Sequence, residues 1–187
     1  MKKENPSPLS RRLQEGRYLF PYHYVVSFNT EAPYRFSQVK YDPAGYRYAA
    51  YVMMVLEVLA EIPFRSLLDV GCGDGLLVKK VHERFPLKQI DGIDISDRAV
   101  GLARALNPER AESYRVGNIH AGGSGSLYDV ATVVEVIEHV PPENLDAFIE
   151  AIYARLHPSG KLIVTVPSKN LSRRNIKRHY QHFSSES

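Results

Sequence analysis

From Ser66 onward, short apolar runs alternate with stretches whose apolar residues recur at helical spacing. The runs are SLLDVG (66–71), QIDGIDI (89–95), SYRVGN (113–118), YDVATVVEVI (128–137) and KLIVTVP (161–167). Each is short and apolar, and glycine, proline, asparagine or serine punctuates the stretches around it, as strands require. Between them, Asp74 to Phe85, a segment capped by Ser96 and running to about Leu106, and PENLDAFIEAIYARLH (142–157) are spaced as helices. Pro158-Ser159-Gly160 is expected to break the last of these. Upstream, Asp42 is a good N-cap with Pro43 at the first helical position. That helix is predicted to reach about Glu61, and Val52, Val55, Leu56 and Leu59 form its apolar stripe. Strands alternating with helices predict an α/β fold, a parallel sheet with helices on both faces and right-handed crossovers. Such sheets bind ligands at the carboxyl ends of their strands, where the strand order reverses.

The pattern divides the chain into an arm or lid (1–41), a core (42–168) and a tail (169–187). The aromatic segment 18–51 spans the arm and the first helix. It holds Tyr18, Tyr22, Tyr24, Tyr34, Tyr41, Tyr46, Tyr48 and Tyr51, with Phe20, Phe28 and Phe36. Aromatics this dense suit either a cover over something flat or plain packing on the domain. The tail carries Lys169, Arg173, Arg174, Lys177 and Arg178 with no acid before His182. It is either a phosphate-attracting patch or a solvated end. Over all 187 residues the net charge is only +3, which is modest for an RNA binder. A lone cysteine, Cys72, excludes an internal disulfide, and no apolar run could span a bilayer. A cytoplasmic protein is the expectation.

The first strand of the alternating region ends in LLDVGCGDGLL (67–77), where Gly71, Gly73 and Gly75 lie between Asp69 and Asp74. A dinucleotide fingerprint is G-x-G-x-x-G, whereas this turn is G-x-G-x-G. A pyrophosphate wants bare amides at a helix N-terminus, and acids there would repel it. The turn suits a ligand with a cationic centre, such as S-adenosylmethionine, whose ammonium Asp69 can draw. Gly71, Cys72 and Gly73 then offer backbone for close approach. Asp94 ends the next strand roughly 20 residues on, the place from which an acid takes both ribose hydroxyls. Ile95, Asn118 and Ile119 follow as candidates for the adenine, with Asn118 at its edge and Ile119 on its ring. Asp69 and Asp94 could also be charges that merely end strands. Cys72 is not read as a nucleophile, because no basic neighbour in the turn lowers its pKa.

Taken together, DVGCGDG, GIDIS, YDVATVVEVIEHVP and LHPSGKLIVTVPS resemble the ordered motifs of class I S-adenosylmethionine-dependent methyltransferases, over about residues 64–168. The resemblance implies a Rossmann-like sheet and a methyl donor. The chain stops soon after Phe183, without the C-terminal antiparallel strand pair usual in that family. Either the chain is shortened, or a second copy or other partner covers the fifth-strand edge.

Methyl transfer needs an aligned acceptor with a free lone pair. At the end of the fourth strand of the set, Glu135-Val136-Ile137-Glu138-His139 offers a catalytic pair, His139 and Glu138. E-x-x-E-H resembles the pattern of many small-molecule methyltransferases of this fold, whose first acid lies near the donor, and the resemblance implies that place for Glu135. It also resembles the metal motif of small-RNA 3′-terminal 2′-O-methyltransferases and a similar motif in O-methyltransferases of ubiquinone biosynthesis. The resemblance implies a divalent metal (Mg or Mn) held by Glu135, Glu138, His139 and His182, the last within RHYQHF. Three readings stay open: a small-molecule O-methyltransferase whose acceptor is anionic, a metal-assisted RNA 2′-O-methyltransferase, and a binding protein on a degenerate methyltransferase fold.

Overall fold

The computed structural model describes residues 15, 18, 26–38, 43–86, 89–121, 126–167 and 180. Two short antiparallel strands come first, β1 (Val26–Phe28) and β2 (Phe36–Gln38). Helix α1 (Pro43–Ala60) follows. Then come β3 (Ser66–Val70), α2 (Leu76–Arg84), β4 (Gln89–Asp94), α3 (Asp97–Leu106), β5 (Tyr114–Val116), β6 (Tyr128–Val134), α4 (Leu145–Tyr153) and β7 (Leu156–Thr165). The last five strands form one sheet in the order β5-β4-β3-β6-β7, and every pair is parallel. Strand order reverses beside β3, which places a crevice at its carboxyl end. Among the described residues no helix is long and apolar enough to cross a membrane.

Period-2 alternation splits the core between the two faces of the sheet. Leu67, Ile90, Val130 and Val134 pack with Leu56 and Leu59 of α1, Leu77 and Val81 of α2, and Val100 and Ala103 of α3. Leu68, Val70, Ala131 and Val133 pack with Phe148 and Ile152 of α4. The predicted stripe of α1 is buried as expected, and Ser96 caps α3 by accepting from the Ala99 amide at 3.1 Å.

Four features depart from the sequence pattern. The aromatic segment contains a hairpin whose Phe28 joins the main core. Lys80 Nζ donates to the Phe28 carbonyl at 2.9 Å, and Arg84 bridges Glu57 and the Tyr34 hydroxyl at 2.9 and 3.2 Å. Helix α2 starts at Leu76, so Asp74 lies in the turn before it. Pro158-Ser159-Gly160 does not end the region as a break: it lies within β7, as an irregularity that lets Leu156 pair with Tyr128 and Lys161 with Val130. Residues 142–144 form a 3₁₀ turn, and α4 starts only at Leu145.

Gly92 makes the close fit of β4 against the turn. A Cβ there would lie 2.8 Å from the Cys72 Cβ and 3.2 Å from the Tyr114 ring. Gly92→Ala is therefore expected to cost about 1–3 kcal/mol, visible as a lower Tm. Gly101→Ala, inside α3 with nothing within 4 Å, is expected to raise stability by about 0.5–1 kcal/mol. Thermal melts of the two variants check both signs.

Candidate functional site

The turn after β3 is built by three glycines that no other residue could replace cheaply. Gly71, Gly73 and Gly75 have φ of 80°, 56° and 84°, the left-handed region that L side chains avoid. Space is short as well. A Cβ on Gly71 would sit 2.3 Å from Val136 Cγ2, and one on Gly75 2.7 Å from the Tyr114 ring. The amides of Gly71 and Cys72 both donate to the Ile93 carbonyl, at 2.7 and 3.1 Å. The turn is thereby stitched to the end of β4.

Asp94, the last residue of β4, completes that stitching. Its Oδ2 accepts from the Gly73 amide and its Oδ1 from the Ser96 amide, each at 2.9 Å. A carboxylate has about four acceptor sites, so both oxygens can still accept from a ligand. Burial raises its pKa, these two amides lower it, and the nearby Glu15 and Asp74 carboxylates raise it. Asp69, at the end of β3, is fully buried. Its Oδ1 accepts from Thr132 Oγ1 at 2.7 Å, while its Oδ2 has no hydrogen-bond partner among the described residues. Burial pushes its pKa to about 7, Thr132 opposes that, and the Asp94 charge adds to it. Asp74 is also buried in the turn.

Cys72 fills the space over Gly92. Burial and the charges of Asp94, Asp69 and Asp74 push its thiol well above the usual range, so it is no nucleophile. Past β5, the adenine candidates part company. Asn118 is exposed, and its Oδ1 accepts from the His120 amide at 3.1 Å, closing the turn Ile119–Ala121. Ile119 is 6% exposed and belongs to the core beside α4, so its side chain is taken up in packing. Ile95 is half exposed beside Asp94, and Val116, which the sequence did not single out, is exposed beside it in register.

Glu135 follows β6 in a left-handed conformation, φ 56°, unusual for a side chain this long. Its amide donates to the Thr165 carbonyl at 3.2 Å, so β7 holds the kink. The kink turns the chain into a 3₁₀ turn, Ile137–His139, with Glu138 buried and His139 partly exposed. Tyr51 of α1 reaches this corner. Its phenol lies near Glu135, and its pKa is raised by burial and by the charge of Glu135, lowered by Arg47 and raised again by Glu138. The spacing of α1 marks Tyr51 as a helix residue, but not that it meets Glu135. The Tyr180 amide donates to the Glu138 carbonyl at 2.8 Å. Among the described residues no three His, Cys, Asp or Glu side chains form a group that could hold a metal. The fourth expected ligand, His182, lies outside the described residues. On the other side of the turn, Arg98 donates to the Glu15 carbonyl at 3.1 Å.

Residues 43–187 match the model of a family described as methyltransferase domain. The ubiquinone biosynthesis O-methyltransferase of Idiomarina loihiensis is 33% identical over 111 residues, 57% of this chain and 44% of that protein. The protein of the same name from Azoarcus sp. is 32% identical over 110 residues, 57% of this chain and 46% of that protein. The chain thus spans about half the length of these curated relatives. Among solved structures, the methyltransferase domain of bacterial CtHen1-CN superposes with a TM-score of 0.60 at 25% identity, over 73% of this chain and 77% of that one. The N-methyltransferase NodS of Bradyrhizobium japonicum, in complex with S-adenosyl-L-homocysteine, shares the fold with a TM-score of 0.58 at 21% identity, over 71% of this chain and 67% of that one. With the family model covering α1 to the C-terminus, this chain belongs to the methyltransferase-domain family.

Proposed function

We propose that the chain binds S-adenosylmethionine at the glycine turn and methylates a hydroxyl of a small molecule. The observation that carries this is the pair of buried carboxylates, Asp69 and Asp94, ending neighbouring strands on either side of a turn that has almost no side chains. The residues fit the donor. Among the described residues Asp69 keeps an unsatisfied oxygen, in a buried place that favours a cation. Asp94 keeps lone pairs for the ribose diol, and Gly71, Cys72 and Gly73 present backbone where side chains would block it. Ile95 and Asn118 would flank the adenine. When bound, the donor would supply a methyl carbon on a sulfonium, open to attack by an acceptor lone pair as the S–C bond breaks and S-adenosylhomocysteine leaves as the thioether.

The chain's own contribution to that step lies at the corner after β6. A hydroxyl acceptor must lose its proton, and His139, partly exposed at the strand end, can take it. Glu138, its neighbour in the same 3₁₀ turn, is buried. Tyr51 of α1 and Glu135 form one wall of this corner. The hydroxyl acceptor itself rests on the likeness to ubiquinone biosynthesis O-methyltransferases. The N-terminal arm would act as a lid: Arg98 holds Glu15, whose carboxylate lies close enough to raise the Asp94 pKa.

A second reading has its own observation. The Tyr180 amide rests on the Glu138 carbonyl, and Tyr180 stands within His179-Tyr180-Gln181-His182. That supports a metal held by Glu135, Glu138, His139 and His182, as in metal-assisted RNA 2′-O-methylation. The likeness to CtHen1-CN goes with it.

Calorimetry with S-adenosylhomocysteine should show binding that Asp94→Ala weakens about 10- to 100-fold, the loss of hydrogen bonds to a charged group. A wild-type chain that binds neither this ligand nor the donor would leave only the binding-protein reading. Donor affinity should also depend on pH. With the Asp69 pKa near 7 in the free protein, binding a cation beside the ionised acid releases a proton below that pH. Affinity should then fall about tenfold per pH unit below 7 and level off above it, and Asp69→Asn should flatten the profile. The same raised pKa means the free protein loses stability as pH climbs from the usual carboxylate range to about 7, because the unfolded chain has already given up that proton. For the proton acceptor, labelled donor and a panel of catechols should reveal transfer that His139→Ala lowers about 100-fold and that EDTA leaves intact. Loss of transfer under EDTA, restored by Mn, would move the assignment to the second reading.

A further inference from the structure

The donor site has a buried hydroxyl at its back. Thr132 lies directly across from Asp69 in the pairing of β3 with β6. Alternation puts both side chains on the sheet face that carries α1, α2 and α3, since Leu67 and Val130, two residues before each, belong to that core. Thr132 is 0% exposed and Asp69 1%. Thr132 Oγ1 donates to Asp69 Oδ1 at 2.7 Å, and Oδ2 has no hydrogen-bond partner among the described residues.

Resting on the reading that the turn binds S-adenosylmethionine, we propose that Thr132 is a positioning residue of the donor site, whose hydroxyl orients the Asp69 carboxylate and favours its ionised form as the donor's ammonium arrives. A hydroxyl in a strand interior must place its hydrogen somewhere, and here it gives it to the one group whose charge the ligand needs. The geometry opposes every other influence on that acid. Burial disfavours the charge, and so does the Asp94 carboxylate at the end of β4. In the turn, the Cys72 thiol is pushed well above its usual range and brings no compensating charge, and the buried Asp74 brings no positive one. Among the influences on Asp69, the Thr132 hydrogen bond is the one that favours ionisation. Its loss would make ionising the acid harder as the donor arrives, and the attraction would weaken accordingly. The effect would be felt only by ligands that carry the ammonium.

That last point supplies the test. S-Adenosylhomocysteine has the amino-acid part, whereas 5′-methylthioadenosine has the same adenosine and a thioether without it. Affinities of both for the full chain, measured by calorimetry from about pH 6 to about pH 9, separate the charge effect from a packing effect. With Thr132→Val, the homocysteine ligand should bind about tenfold more weakly at pH 7, and its plateau should move up by about one pH unit. Methylthioadenosine should bind wild type and variant alike, and Thr132→Ser should restore the wild-type profile. Equal losses for both ligands, or an unmoved pH profile, would overturn the role given to Thr132 while leaving the donor reading intact. A wild-type chain that binds neither ligand would overturn the donor reading and this inference with it.

Discussion

Asp94 holds the glycine turn and the next helix together through two hydrogen bonds, one from the amide of Gly73 and one from that of Ser96. The consequences reach in both directions along the chain. The turn can only be held this way if its backbone takes left-handed angles at Gly71, Gly73 and Gly75, so the spacing of those glycines follows from where the carboxylate stands. The amide it takes at Ser96 is the one at the start of α3, whose cap is the hydroxyl of the same serine. Gly92, two residues back in β4, must lack a side chain because the turn folds down onto it. One acid at a strand end thus fixes a loop, a helix start and the local composition of its own strand.

The opposite side of the crevice is organised by strain rather than by hydrogen bonds to a turn. Glu135 takes a left-handed angle directly after an apolar strand, and β7 holds it there through the Thr165 carbonyl. Straight continuation of β6 would carry Glu138 and His139 along the strand direction, away from β3. The kink instead turns them into a short 3₁₀ turn that Tyr51 meets from α1. Such backbone costs of order 1–3 kcal/mol and survives only where surroundings insist on it. Val136, immediately after the kink, is also the residue that a side chain on Gly71 would strike. The two halves of the crevice are therefore fitted to each other.

Much of this was legible in the chain because parallel strands are buried on both faces and so read as apolar runs. The order of strands and helices, the α1 stripe and the Ser96 cap follow from periodicity and local chemistry alone. What was not legible depends on contacts between distant segments. The hairpin of 26–38 lacks a long apolar run and is held by Lys80, Arg84 and Glu57, residues of two later helices. The irregular start of β7 looks like a break because proline and glycine usually are one, and only the pairing with β6 keeps it in the sheet. At the candidate site, Asp69, Asp94 and the glycines announce themselves by spacing. Ile119 lies in the core beside α4, and in a sequence a core isoleucine and an adenine-stacking one are the same letter. Thr132 and Tyr51 gave no signal, because each meets a partner far away in sequence.

The turn's choice between anionic and cationic ligands comes down to a comparison of magnitudes. The N-terminus of α2 favours an anion, by at most about 2 kcal/mol in partly buried geometries. Ionising Asp69 in its place is harder than in water: a pKa moved from 3.8 to about 7 corresponds to roughly 4 kcal/mol of disfavoured charge. An anion could collect the helix term only by keeping that acid protonated, and it would still face Asp94 and Asp74. A cation can recover much of the larger sum by allowing Asp69 to ionise beside it. The acids therefore outweigh the helix terminus. A turn that on its glycines alone could cradle a phosphate is, with these neighbours, better suited to an adenosine that carries its positive charge on an amino acid.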